Sequence, residues 1–138
     1  MKISAHLQNS HANHQVTLTT SGQSHPLHIP PRSTGFGSSA NGGELLFLAL
    51  ATCYCNDLYR EADKQGIQIV SVDVEVDGDF GGVGEHARNV TYRARVTAHA
   101  SQEAIQALMR HTDQVAEIQN TLRVATPIML ADIEAITV

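Results

Sequence analysis

Apolar and polar residues alternate along three short stretches at the start of the chain. Ile3, Ala5 and Leu7 interleave with Lys2, Ser4 and His6, and Val16 and Leu18 with Gln15, Thr17 and Thr19. That is the period of two of half-buried strands. Residues 9–13 and 20–24 carry the Asn, Ser and Gly chemistry of turns between them. A third strand is predicted over residues 25–29, and Pro26, which has no N–H for a ladder, assigns it to a sheet edge.

The period then changes. Residues 30–43 form a glycine-rich loop ending in Asn41-Gly42-Gly43-Glu44, an N-cap with an acid three residues on, the arrangement of a capping box. The helix predicted from there runs to about Gln65, with Gly66 as its left-handed terminator. From 45 to 55 every position except Thr52 is apolar. A helix apolar on all sides is expected to be buried on all sides, with sheet wrapped around it. Asn56, Asp57, Arg60, Glu61, Asp63 and Lys64 are expected to bring its last turns out to solvent.

Strict alternation returns after Gly66. Val70, Val72, Val74 and Val76 are expected to face inward, with Ser71, Asp73, Glu75 and Asp77 outward. A glycine-rich turn is expected over 78–84, and then Val90, Tyr92, Ala94, Val96 and Ala98 alternate with Thr91, Arg93, Arg95 and Thr97. An acidic outer face thus opposes a basic one, as a hairpin with cross-strand ion pairs requires. Ser101 caps a second helical region reaching Arg123, with a break expected at 111–113, and residues 128–138 are expected to return as a strand. The element order is α+β, and no internal repeat or linker divides residues 1–138, which read as a single domain.

Composition narrows the function classes. Nine Lys and Arg against fourteen Asp and Glu give a net charge of −5, the wrong field for nucleic acid. No run of about 18 apolar residues is present to span a membrane. The N-terminus lacks a secretory apolar stretch, so a cytoplasmic location is expected. The eight histidines stand at spacings that do not converge on one face, and no metal or other cofactor is expected. The two cysteines are Cys53 and Cys55. On a helix they point about 200° apart, which rules out a disulfide between them without unwinding. Cys53 shares its face with Asn56 and Asp57, and the Asp57 carboxylate disfavours a thiolate there. Read as composition alone, both cysteines are small core hydrophobes.

The segment Glu44-Leu45-Leu46-Phe47-Leu48-Ala49-Leu50-Ala51-Thr52-Cys53, continuing through Asn56-Asp57-Leu58-Tyr59-Arg60 to Gly66-Ile67, resembles the central helix of the OsmC/Ohr family of osmotically inducible and organic hydroperoxide resistance proteins. The resemblance implies an α+β OsmC-like fold, strands wrapped around a long buried central helix, in an intertwined homodimer. It also implies a peroxidatic cysteine at Cys53, a resolving cysteine in the later helical region, and an activating Arg and Glu. The sequence departs at each supporting position. Ala116 stands where the resemblance places the second cysteine, within Asp113-Gln114-Val115-Ala116-Glu117-Ile118. The activating Glu falls on Gly43, with Glu44 one place later and about 100° around the helix. The first Arg in the chain is Arg32, beyond the early strands.

Two readings follow. In one, Cys53 reduces hydroperoxides as a lone catalytic cysteine restored by an external thiol, with Glu44, Arg32 or Arg60 as candidate activators. In the other, the chain is a catalytically inactive relative whose apolar pocket holds a small hydrophobic ligand.

Overall fold

The computed structural model describes residues 1–138. The chain forms two compact units, Met1–Leu46 and Phe47–Val138.

The first unit carries a three-stranded antiparallel sheet, β1 (Ile3–Ser10), β2 (Asn13–Thr20) and β3 (Gln23–Pro26), in the order β1-β2-β3. Two-residue turns join the strands, at His11-Ala12 and Ser21-Gly22, with Ala12, Ser21 and Gly22 all at positive φ. Such turns match the twist of the flanking strands. β3 lies at the edge, as Pro26 requires, but it runs over 23–26 and not over the expected 25–29. Past Pro26 only the Leu27 N–H still reaches β2, at the Val16 carbonyl (3.1 Å). In the loop that follows, the Asn9 side chain accepts from the Gly37 N–H (3.0 Å) and donates to its carbonyl (3.3 Å).

Helix α1 (Gly42–Lys64) starts in this unit and ends in the next. Its capping box is reciprocal: the Glu44 N–H donates to Asn41 Oδ1 (2.9 Å) and the Asn41 N–H to Glu44 Oε2 (2.8 Å). At the other end the Ile67 N–H reaches the Ala62 carbonyl and the Gly66 N–H the Asp63 carbonyl, with Gly66 at φ 67°. This is the paired closure that a left-handed glycine permits.

The second unit holds the hairpin β4 (Gln68–Phe80) and β5 (Ala87–His99), then α2 (Gln102–Val115) and α3 (Glu117–Arg123). Its core is Tyr54, Leu58, Ala62 and Leu108, packed against inward residues of the hairpin such as Ile69, Val72, Tyr92 and Val96. The acidic and basic outer faces oppose each other as expected, and Arg93 bridges Glu75 (2.9 Å) and Asp77 (2.8 Å). Ser101 caps α2 by accepting from the Ala104 N–H (3.2 Å).

The structure corrects several expectations. A bulge between Ile69 and Ser71 shifts the register, so Ile69 faces inward and Val70 is exposed. Gly78 is a strand residue and not part of a turn; a Cβ there would meet Phe47 Cζ at 2.7 Å, so close ring approach is what requires glycine. The break between the late helices falls at Ala116, whose extended backbone (ψ 110°) interrupts the helical run, and 111–113 are helical. Residues 128–138 form no strand, because no strand of the chain pairs with them. Along α1, Asn56, Arg60, Asp63 and Lys64 are exposed as expected, but Leu48 is exposed too, whereas Asp57 and Glu61 are each only 5% exposed. Those two carboxylates tolerate burial because cations meet them, as described next. No helix is long and apolar enough to cross a membrane.

Candidate functional site

Cys53 lies on α1, half-buried, and Asp57 stands one turn further along the same face. The thiol donates toward Asp57 Oδ2 at 3.6 Å and faces Glu117 Oε2 at 3.9 Å. Glu117 arrives from 64 residues away because the chain breaks at Ala116, which is fully buried, and restarts as α3 with Glu117 in its first turn. The buried Gln119 fixes α3 against α1 by donating from Nε2 to the Leu50 carbonyl (3.0 Å).

Arg60 ties the carboxylates together. Its Nη1 donates to Asp57 Oδ1 (2.7 Å) and Glu117 Oε1 (3.4 Å), and its Nε to Glu61 Oε1 (2.9 Å). Glu61 also receives Lys64 Nζ (2.8 Å) and pairs with His111 Nε2 (3.0 Å). The sulfur therefore meets two carboxylates directly, and both of them pair with the Arg60 guanidinium.

The electrostatics follow from this arrangement. Burial first, then the charges of Asp57 and Glu117, push the Cys53 thiol above its ordinary pKa, against a lowering contribution from the Ile118 N–H. Burial and the neighbouring Glu117 raise Asp57, with Arg60 opposing. Glu117 lies lower than usual, held by its own backbone N–H and by Arg60 despite some desolvation. Of the two carboxyls, Asp57 is the one that keeps a proton more readily. Three donor atoms, the sulfur and one oxygen from each acid, lie within 4.8 Å of one another. Ligands of one tetrahedral ion sit roughly 3.5 Å apart. Hydrogen bonds and the Arg60 bridge account for the grouping.

The Glu44 carboxylate is engaged in the helix cap. The Arg32 backbone N–H donates to the Gly37 carbonyl (3.1 Å), and its Nε to Ser38 (3.4 Å). Cys55, two residues from Cys53, is free and half-buried. Glu117 is the residue that sequence reasoning did not single out, although it lies in the segment 113–118 that the family resemblance marked.

The family model described as OsmC-like protein matches residues 35–131, well over half of the chain. The chain belongs to the OsmC-like family. Solved structures agree on the fold. An OsmC-like protein from Mycoplasma pneumoniae shares 17% identity, covers 87% of each chain and superposes with a TM-score of 0.60. An organic hydroperoxide resistance protein from Elizabethkingia anophelis shares 19%, covers 89% of each chain and gives 0.60. An organic hydroperoxide resistance protein OsmC from Legionella pneumophila shares 22%, covers 88% of each and gives 0.55. No curated protein matches the chain. Within this OsmC-like fold, Ala116 of the marked segment is sealed in the interior and its neighbour Glu117 meets the sulfur.

Proposed function

We propose that this OsmC-like chain reduces organic hydroperoxides through Cys53 alone, with a small thiol as reductant. The observation that carries the reading is a free, half-buried thiol at Cys53, the position where the resemblance places the peroxidatic cysteine, within the stretch that the OsmC-like family model matches. The thiolate attacks the distal peroxide oxygen, the O–O bond breaks, and the alcohol leaves after its alkoxide takes a proton. Asp57, which accepts the thiol's hydrogen bond, takes the thiol proton as the thiolate forms and hands it on to the alkoxide. The sulfenic acid left on Cys53 condenses with one external thiol, releasing water, and a second thiol frees Cys53 and carries away the disulfide. Because burial, and after it the two carboxylates, hold the sulfur as a thiol, the reaction accelerates as pH rises toward the thiol's elevated pKa.

The chain acts as a cytoplasmic homodimer in this reading, and residues 1–138 work as one functional domain. A second copy is the natural cover for exposed apolar residues such as Leu48, Ile133 and Ile136. The family match, which extends into both compact units, supports joint action.

The test is peroxide consumption with cumene hydroperoxide and a dithiol, for wild type, Cys53→Ser and Cys55→Ser. Cys53→Ser is expected to fall to the uncatalysed rate and Cys55→Ser to stay within about twofold of wild type. Equal rates for Cys53→Ser and wild type overturn the proposal. Light scattering is expected to give twice the chain mass, and a monomer at micromolar concentration contradicts the dimer.

A further inference from the structure

Away from Cys53, a cleft of about 520 Å³ opens between β5 and α2. Tyr54, Tyr92, Ala94 and Met109 form its less polar wall, and Arg110 and Asp113 line its α2 side. The two rings meet edge to face, centroids 4.9 Å apart at 62°. Their hydroxyls are already engaged: Tyr54 donates to the Met109 carbonyl (2.8 Å) and Tyr92 to the Asp113 carboxylate. Burial holds both phenols protonated, Tyr54 being pushed up to about 12 and Tyr92 also well above its ordinary value.

The charges on α2 are unequally satisfied. Arg110 and Asp113 stand three residues apart, the spacing at which a helix normally pairs them. Asp113, however, is taken by Tyr92 and by Arg123 Nη2 (2.7 Å). Arg110 makes no ion pair; its Nη2 reaches only the neutral Gln106 Oε1, at 3.4 Å. A cation without an anion thus stands at the mouth of an aromatic cleft whose own acid is neutralised.

We propose that this cleft binds a small aromatic carboxylate, its ring against the half-buried Tyr92 and Met109 and its carboxylate on Arg110. The volume falls within the range of small-molecule sites. The Met109 thioether beside the Tyr92 ring favours an arene over an alkyl chain. A carboxylate displaces Gln106 because a charge-assisted, two-pronged contact is stronger than a neutral one.

The probe is 3-phenylpropionate, titrated while the Met109 methyl signal is followed by NMR. A saturable shift is expected for wild type. Hexanoate, which lacks the ring, and 3-phenylpropan-1-ol, which lacks the charge, are each expected to bind tenfold or more weakly. Arg110 is exposed, so Arg110→Gln is expected to keep the wild-type melting temperature and lose tenfold or more in affinity. Cys53→Ser is expected to bind like wild type, which separates this site from peroxide chemistry. No saturable shift at Met109, or equal binding by the neutral alcohol, overturns the proposal. So does unchanged affinity in Arg110→Gln.

Discussion

Replacing Glu117 with Gln removes one of the two negative charges beside Cys53 and keeps the side chain's length and an oxygen to face the thiol. Glu117 Oε2 lies 3.9 Å from the sulfur. Two unit charges at about that distance repel by about 1 kcal/mol in bulk water and about 4 kcal/mol at an effective dielectric of about 20. The Glu117 side chain is 65% exposed, so the water limit is the relevant one. About 1 kcal/mol corresponds to about a fivefold larger thiolate population at neutral pH. The assay is the rate of alkylation by iodoacetamide, a neutral reagent, followed from about pH 6 to 10 in a Cys55→Ser background so that one thiol reports. Glu117→Gln is expected to react about fivefold faster near neutrality, with a lower midpoint and the same plateau at high pH. An unchanged rate refutes the argument that Glu117 restrains the sulfur. A slower one shows that Glu117 draws the proton off the thiol, the opposite role.

Further predictions concern the network and the core. Lys64, Arg60 and His111 hold Glu61 down to about 2, so its stabilisation is present above the ordinary carboxylate pKa of 4.5 and is lost as pH falls from there toward 2. Between those limits the melting temperature of wild type is expected to fall more steeply than that of Glu61→Gln, and parallel curves contradict this. Leu58 is fully buried, and Leu58→Ala is expected to cost about 3 kcal/mol in urea unfolding, a loss under about 1 kcal/mol contradicting its place in the core. Gly78→Ala drives a Cβ to within 2.7 Å of Phe47 and is expected to cost about 1–3 kcal/mol. Gly42→Ala, with open space around it, is the control and is expected to be neutral or slightly stabilising.

Much of the fold is legible in the sequence where local chemistry decides. Pro26 marks the edge strand, the Asn41–Glu44 box starts α1 and Gly66 ends it, because each acts on backbone groups within a few residues. Legibility fails where distant contacts choose between locally equal options. Ile69 and Val70 are both apolar, so alternation cannot show which of them a bulge turns outward. Ala116 favours helix by itself; its break accompanies tertiary contacts, among them the Gln119 bond to Leu50. Asp57 and Glu61 read as solvent-facing until Arg60, Lys64 and His111 are seen around them. Cys53 and its same-face neighbour Asp57 follow from helical spacing, whereas Glu117 meets the sulfur only through folding.

The account stands on Cys53 being the atom that meets peroxide. Treating the protein with one equivalent of cumene hydroperoxide in the presence of dimedone, followed by peptide mass spectrometry, tests this most directly. The dimedone adduct is expected on Cys53 in wild type and in Cys55→Ser, and is expected to vanish in Cys53→Ser. An adduct confined to Cys55, or none on either cysteine while added peroxide is consumed, contradicts it.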